Sequence, residues 1–147
     1  MITMRPGDHM PFSHAWASLL LRIIVGWVFL TEGIQKFLFP AALGVGRFAK
    51  IGIPWANISA PFVGGVEIVC GMLLMIGLIT RFATIPLLID ISVAIATTKI
   101  PMLVHQGFWP AMHEGRTDFC MFLGLIAILC IGPGRLSCDT RRFYDGE

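Results

Sequence analysis

Charge is what this sequence has least of. Only 14% of its 147 residues are Asp, Glu, Lys or Arg, against about 25% in a soluble globular domain, which excludes an ordinary water-soluble fold. No long run of either sign occurs, and the formal net charge is +2. Neither an acidic tail nor a nucleic-acid-binding face is therefore written into the chain. Paired cysteines are lacking too. Cys70, Cys120, Cys130 and Cys138 form no CxxC or zinc-like spacing, and Cys120 and Cys130 fall about 15 Å apart on one helix, beyond the ~4.4–6.8 Å Cα separation of a disulfide. They read as small packing residues. There is no Cys-rich cluster site, no His pair for haem and no Gly-rich dinucleotide loop, so no metal and no intrinsic cofactor is expected. His105 and His113 have no third ligand spaced near them.

What fills the space is hydrocarbon: 56% of the residues are hydrophobic and the mean hydropathy is +0.78. Four runs, approximately 16–39, 61–79, 82–100 and 117–132, approach the ~20 residues that cross a bilayer core. They predict one domain over residues 1–147, an all-α integral membrane protein built as an antiparallel four-helix bundle. The first run is long enough to be a retained span rather than a removed signal. Pro40, Pro61, Pro101 and the Gly132-Pro133-Gly134 break mark the boundaries. Four crossings place both termini and the Thr80-Arg81 turn on one side. That side holds Arg5, Arg81, Arg135, Arg141 and Arg142, and the other loops hold Arg47, Lys50 and Arg116. The positive-inside rule favours cytoplasmic termini in a cytoplasmic (inner) membrane. Trp16, Trp55 and Trp109 fall near predicted helix ends, as interface anchors do, and Trp27 lies deep. The outer connections exceed simple turns: 43–53 has the pattern of a short interfacial helix or re-entrant turn, and 102–117 carries His105, Phe108, Trp109, His113, Glu114 and Arg116.

Each ionisable group within a span costs about 2.5–3.5 kcal/mol on the insertion scale and needs a partner or a wet cavity. Counting rise from the predicted helix ends puts Arg22 about 9 Å and Asp90 about 13 Å from the cytoplasmic side, an inner pair, with Glu32, Lys36 and Glu67 forming an outer cluster. Arg22, Gly26, Phe29, Gly33 and Lys36 share one stripe of the first helix, and Gly64, Glu67, Gly71 and Met75 one face of the second. Glycines on those faces permit close helix approach and point Glu67 into the bundle, where the depth count favours Lys36 as its partner. Glu32 precedes Lys36 by one turn, the favourable order for an i,i+4 pair. Two carboxylates beside one lysine leave one under-neutralised, which suits proton handling or hydrogen bonding to a ligand. The inner pair, Arg22 and Asp90, reads first as a structural bridge that holds register and only second as part of a ligand site. Pro86 frees the carbonyl of Phe82 and predicts a kink. Phe119, Phe122, Leu123, Ile126 and Leu129 offer a face to lipid or to a second copy in a homo-oligomer.

The run Leu21-Arg22 with Gly26, Phe29, Gly33 and Gln35-Lys36, then Phe48, Gly52 and Pro54, then Glu67, Gly71, Leu74 and Gly77, then Thr80-Arg81 and Ala83, resembles the DoxX family of small four-helix membrane proteins of bacteria and archaea. The ending from Gly132 to Asp139 is similar to the tail of many DoxX-like proteins. The family pattern falls on Arg22, Gly33, Lys36, Glu67 and Arg81; Glu32 and Asp90 stand outside it. The resemblance implies a membrane subunit or accessory of a quinone-linked thiol or sulfur redox system. In that case the outer cluster of Glu32, Lys36 and Glu67 is the candidate quinone or ligand site, and a peripheral or soluble oxidoreductase is the catalytic partner. Two other readings stay open: a stand-alone binder or transporter of a small solute or isoprenoid-like lipid, and a purely structural assembly subunit.

Overall fold

The computed structural model describes residues 12–134 and 136–139. Arg5, Arg135, Arg141 and Arg142, used above for sidedness, lie outside the described residues. Among those described, every regular element is helical. Helix α1 spans Phe12–Leu38 and stops two residues before Pro40. A short helix α2, Val45–Lys50, leads to α3, Ala56–Ile76. Helix α4, Thr80–Ala94, passes through a π-helical turn, Ile95–Lys99, into α5, Ile100–Gln106, and α6 spans Phe108–Ile131. Three stretches, Ala15–Leu38, Ala56–Ile76 and Thr80–Gln106, are long and apolar enough to cross a membrane.

Several boundaries differ from the sequence reading. Pro61 does not open its helix but sits inside α3, where Ser59 Oγ donates to the carbonyls of Pro54 and Trp55 and so supports the entry. Nor does Pro101 end the third run. It takes one of the first positions of α5, and the π turn before it bonds one residue further back, absorbing the amide that proline lacks. Thr97 and Thr98 donate to the carbonyls of Val93 and Ala94 across that turn. The connection 102–117 is thus mostly helix rather than loop, interrupted at Gly107 with φ +91°. Segment 43–53 does hold a short helix.

Helix α1 packs against α3 and α6, and α4 packs against the same two. Val25 and Phe29, Leu74, Ala83, Leu87 and Ile91, and Met121, Leu125 and Ile128 form the shared core. Close approach of α1 and α3 depends on glycine. A β-carbon on Gly33 would lie 2.6 Å from the Gly64 carbonyl oxygen, and one on Gly71 would lie 2.8 Å from that of Gly26. The pairing of Gly26 with Gly71 and Gly33 with Gly64 shows that the two helices run in opposite directions. Large apolar side chains elsewhere point outward, Trp27 at 57% exposure among them, so the deepest tryptophan of α1 faces away from the core.

Candidate functional site

Two charge layers organise the molecule. In the lower one Arg22 is fully buried and donates from Nη2 to the Leu136 carbonyl at 3.1 Å. Its guanidinium lies so close to Gly77 that a β-carbon there would overlap Nη1. Gly77 has φ +77° and closes α3, a conformation glycine reaches without penalty. Two residues on, Ile79 is also left-handed, φ +44°, which is unfavourable for a β-branched residue. The chain end holds this turn: Asp139 accepts from the amides of Ile79 (2.6 Å) and Thr80 (2.9 Å) and from the Thr80 hydroxyl (2.8 Å). Its own amide donates to the Gly77 carbonyl. Burial pushes the Asp139 carboxyl up, but these hydrogen bonds and the nearby Arg22 charge hold it below the ordinary aspartate value. Ser18 Oγ donates to the Gly132 carbonyl and fastens the start of the same tail to α1.

The upper layer follows by counting. Glu32 is ten residues after Arg22, Glu67 ten before Gly77 and Asp90 ten after Thr80, so all three carboxylates rise to one level about 15 Å above the Arg22 clamp. Lys36 Nζ donates to both oxygens of Glu67, at 2.8 and 2.6 Å, with only 12% and 5% of the two side chains exposed. Asp90 adjoins Glu67 and lies within electrostatic reach of Lys36 and Glu32. Lys99 and Asp118 pair at 3.1 Å. These groups border a cavity of about 350 Å³ whose apolar walls include Phe29, Phe48, Ile91 and Met121.

The expected inner pair does not exist. Arg22 is engaged by the tail at the lower layer, and Asp90 belongs with Glu67. The depth count failed because it took the starts of the two helices to lie at one level. Helix α1 begins four residues earlier than guessed, and the level of Arg22 is fixed by the α3–α4 turn rather than by the start of its own helix. The Glu67–Lys36 contact expected from depth is present, whereas Glu32 forms no ion pair with Lys36 and stands exposed along the cavity wall. Sequence reasoning placed Lys99 and Asp118 at the outer surface without pairing them, and it missed Asp139. Asp139 follows the Gly-Pro-Gly break, where only the folded tail brings it to the helix amides.

Long apolar helices, a buried ion pair and a cavity lined by charged groups define a helical membrane protein with a polar site among its helices. A family model described as DoxX matches residues 17–105, and the chain belongs to that family. It is 52% identical over 129 residues to "Uncharacterized membrane protein Rv3486" of Mycobacterium tuberculosis, covering 84% of this chain and 79% of the relative. Over 122 residues it is 28% identical to "Putative oxidoreductase CatD" of Bacillus subtilis, covering 83% and 84%. Over 124 residues it is 29% identical to an "Uncharacterized protein" of Haemophilus influenzae, covering 84% and 88%. No solved structure matches the chain.

Proposed function

We propose that the chain is an antiparallel four-helix membrane bundle of the cytoplasmic membrane, with α6 as the fourth span and the termini on the cytoplasmic side. It serves there as the membrane subunit or accessory of a quinone-linked thiol or sulfur redox system. The observation that carries this reading is the cavity of about 350 Å³ in which the Lys36–Glu67 pair, Glu32 and Asp90 meet apolar walls. Its size lies within the ~300–1,000 Å³ of small-molecule sites, and such sites combine apolar walls with a few convergent polar groups. A quinone head group fits this chemistry. Lys36 has three N–H donors and directs two at Glu67, leaving one for a ring carbonyl. Phe29, Phe48 and Met121 supply flat or soft apolar contact.

The chemistry a quinone brings is reversible two-electron, two-proton carriage. Glu32, Glu67 and Asp90 are groups of this chain able to hold a proton beside it, and the Lys36 ammonium fixes the position of Glu67. The electrons would come from a peripheral or soluble oxidoreductase, since the sequence carries no cluster, haem or dinucleotide motif, and the name of the Bacillus relative supports a redox setting. The outward face of α6, with Leu123 and Ile126 exposed, is available to such a partner, to a second copy or to lipid.

The test is calorimetric titration of the detergent-purified protein with a short-chain benzoquinone and a short-chain naphthoquinone, alongside mass spectrometry of extracted small molecules. Saturable binding that Glu67→Gln weakens at least ten-fold, in a variant that keeps its helical content, supports the reading. Absence of both saturable binding and co-purified quinone would overturn it.

A further inference from the structure

Beside the central cavity lies a second hollow of about 470 Å³, bordered by Ala41, Ala42, Gly46, Arg47, Lys50 and Thr98. Its charge is of one sign. Arg47 and Lys50 both border it, no acidic residue does, and among the described residues neither takes part in an ion pair. The backbone there is preformed: a β-carbon on Gly46 would overlap the Ala41 carbonyl, and the Gly46 amide donates to Pro40. Arg47, Ile51 and Thr98 also border the central cavity, and Phe48, between the two cations in sequence, is buried as part of that cavity's wall.

Just ahead of the hollow in the chain, Phe37, Leu38 and Phe39 at the end of α1 are 50%, 65% and 55% exposed. Two exposed cations that follow, in the chain, an exposed apolar ridge at the end of a membrane-crossing helix match an amphiphile with an anionic phosphate head and acyl chains. They do not match a free anion, which has no use for the ridge. Arginine and lysine are the side chains that hold phosphate oxygens.

We propose that this hollow is a binding site for the phosphate head group of an anionic phospholipid, held by Arg47 and Lys50, with the acyl chains along Phe37–Phe39. A head group engaging Arg47 also fixes α2, and with it the Phe48 wall of the central cavity. The proposal does not rest on what that cavity binds, although the shared Arg47, Ile51 and Thr98 join the two sites.

Native mass spectrometry of the protein released from nanodiscs containing equal phosphatidylglycerol and phosphatidylcholine tests the proposal. Each basic residue near a head group contributes about a five-fold preference at moderate salt, so with two of them retained phosphatidylglycerol should exceed phosphatidylcholine by about twenty-five-fold. Arg47→Gln/Lys50→Gln should abolish the preference, and Arg116→Gln, on the same side of the molecule but outside the hollow, should keep it. Equal retention of the two lipids by the unaltered protein, or an unchanged preference in the double variant, overturns the proposal. Displacement of phosphatidylglycerol by millimolar inorganic phosphate overturns the lipid as occupant. Circular dichroism of the double variant at the wild-type melting temperature confirms that any loss is local.

Discussion

Lys36 on α1 and Glu67 on α3 form a two-pronged ion pair, 2.8 and 2.6 Å from nitrogen to each carboxylate oxygen, almost closed off from solvent. Desolvation makes such a pair a weak net stabiliser, yet removing one partner strands the other charge. Lys36→Met should therefore cost about 3–5 kcal/mol, read as a large fall in thermal midpoint in detergent. The double variant Lys36→Met/Glu67→Leu should recover most of that stability. Equal losses in single and double variants would show that the pair contributes through something other than mutual charge compensation.

The pair is held together by the glycine contacts beneath it. Gly33→Ala would place a β-carbon 2.6 Å from the Gly64 oxygen and 3.0 Å from Glu67 Cβ, forcing α1 from α3 at the level where Lys36 must reach Glu67. The expected cost is about 1–3 kcal/mol, as for overpacked cores generally. Gly65 lies one residue from Gly64 with nothing within 4 Å of its absent β-carbon, so Gly65→Ala should be neutral or stabilising by up to about 1 kcal/mol from helix propensity. Parallel melting curves of the two variants check both signs.

Much of this was legible in the sequence, and the failures have physical causes. The stripe from Arg22 to Lys36 and the face from Gly64 to Met75 follow from 3.6-residue periodicity alone, and they led to the Glu67–Lys36 contact. Arg22 was misplaced because hydropathy does not show how far the start of one helix lies below that of another. The extension of α1 to Phe12 and the position of the α3–α4 turn set the layers instead. Pro61 and Pro101 looked like boundaries because proline disfavours helix interiors; Pro61 is carried inside the first two turns of α3, and a π turn before Pro101 removed the conflict there. The Arg22 clamp was illegible, since it joins residues more than a hundred positions apart.

That clamp makes Gly77, buried at the α3–α4 turn, sensitive to substitution. Gly77→Ala must both adopt φ +77° and displace the buried Arg22 guanidinium. The left-handed conformation alone costs an L-residue about 1–2 kcal/mol, and the overlap adds to it. Gly52, at φ +81° with nothing within 4 Å, carries only the conformational part. Gly77→Ala should thus lower the melting temperature clearly more than Gly52→Ala; equal effects would mean that Arg22 moves aside freely.

Asp139 gives the same region a pH dependence. Its carboxyl lies below the ordinary value of 3.8 in the folded protein: burial raises it, and the Thr80 and Ile79 hydrogen bonds with the Arg22 charge outweigh that rise. For a depressed acid the folded state binds the proton less readily than the unfolded one. The stabilisation is therefore complete above the unfolded value and is lost as pH falls from about 4 through the folded value. Asp139→Asn keeps an oxygen for one amide but cannot titrate, so it should be less stable than wild type at pH 7. The gap should narrow as pH falls below about 4. Other carboxylates titrate in both proteins, so the informative quantity is the difference in melting temperature between wild type and variant at each pH. A constant difference from pH 7 down to about pH 3 would show that the Asp139 charge does not hold the tail against the α3–α4 turn.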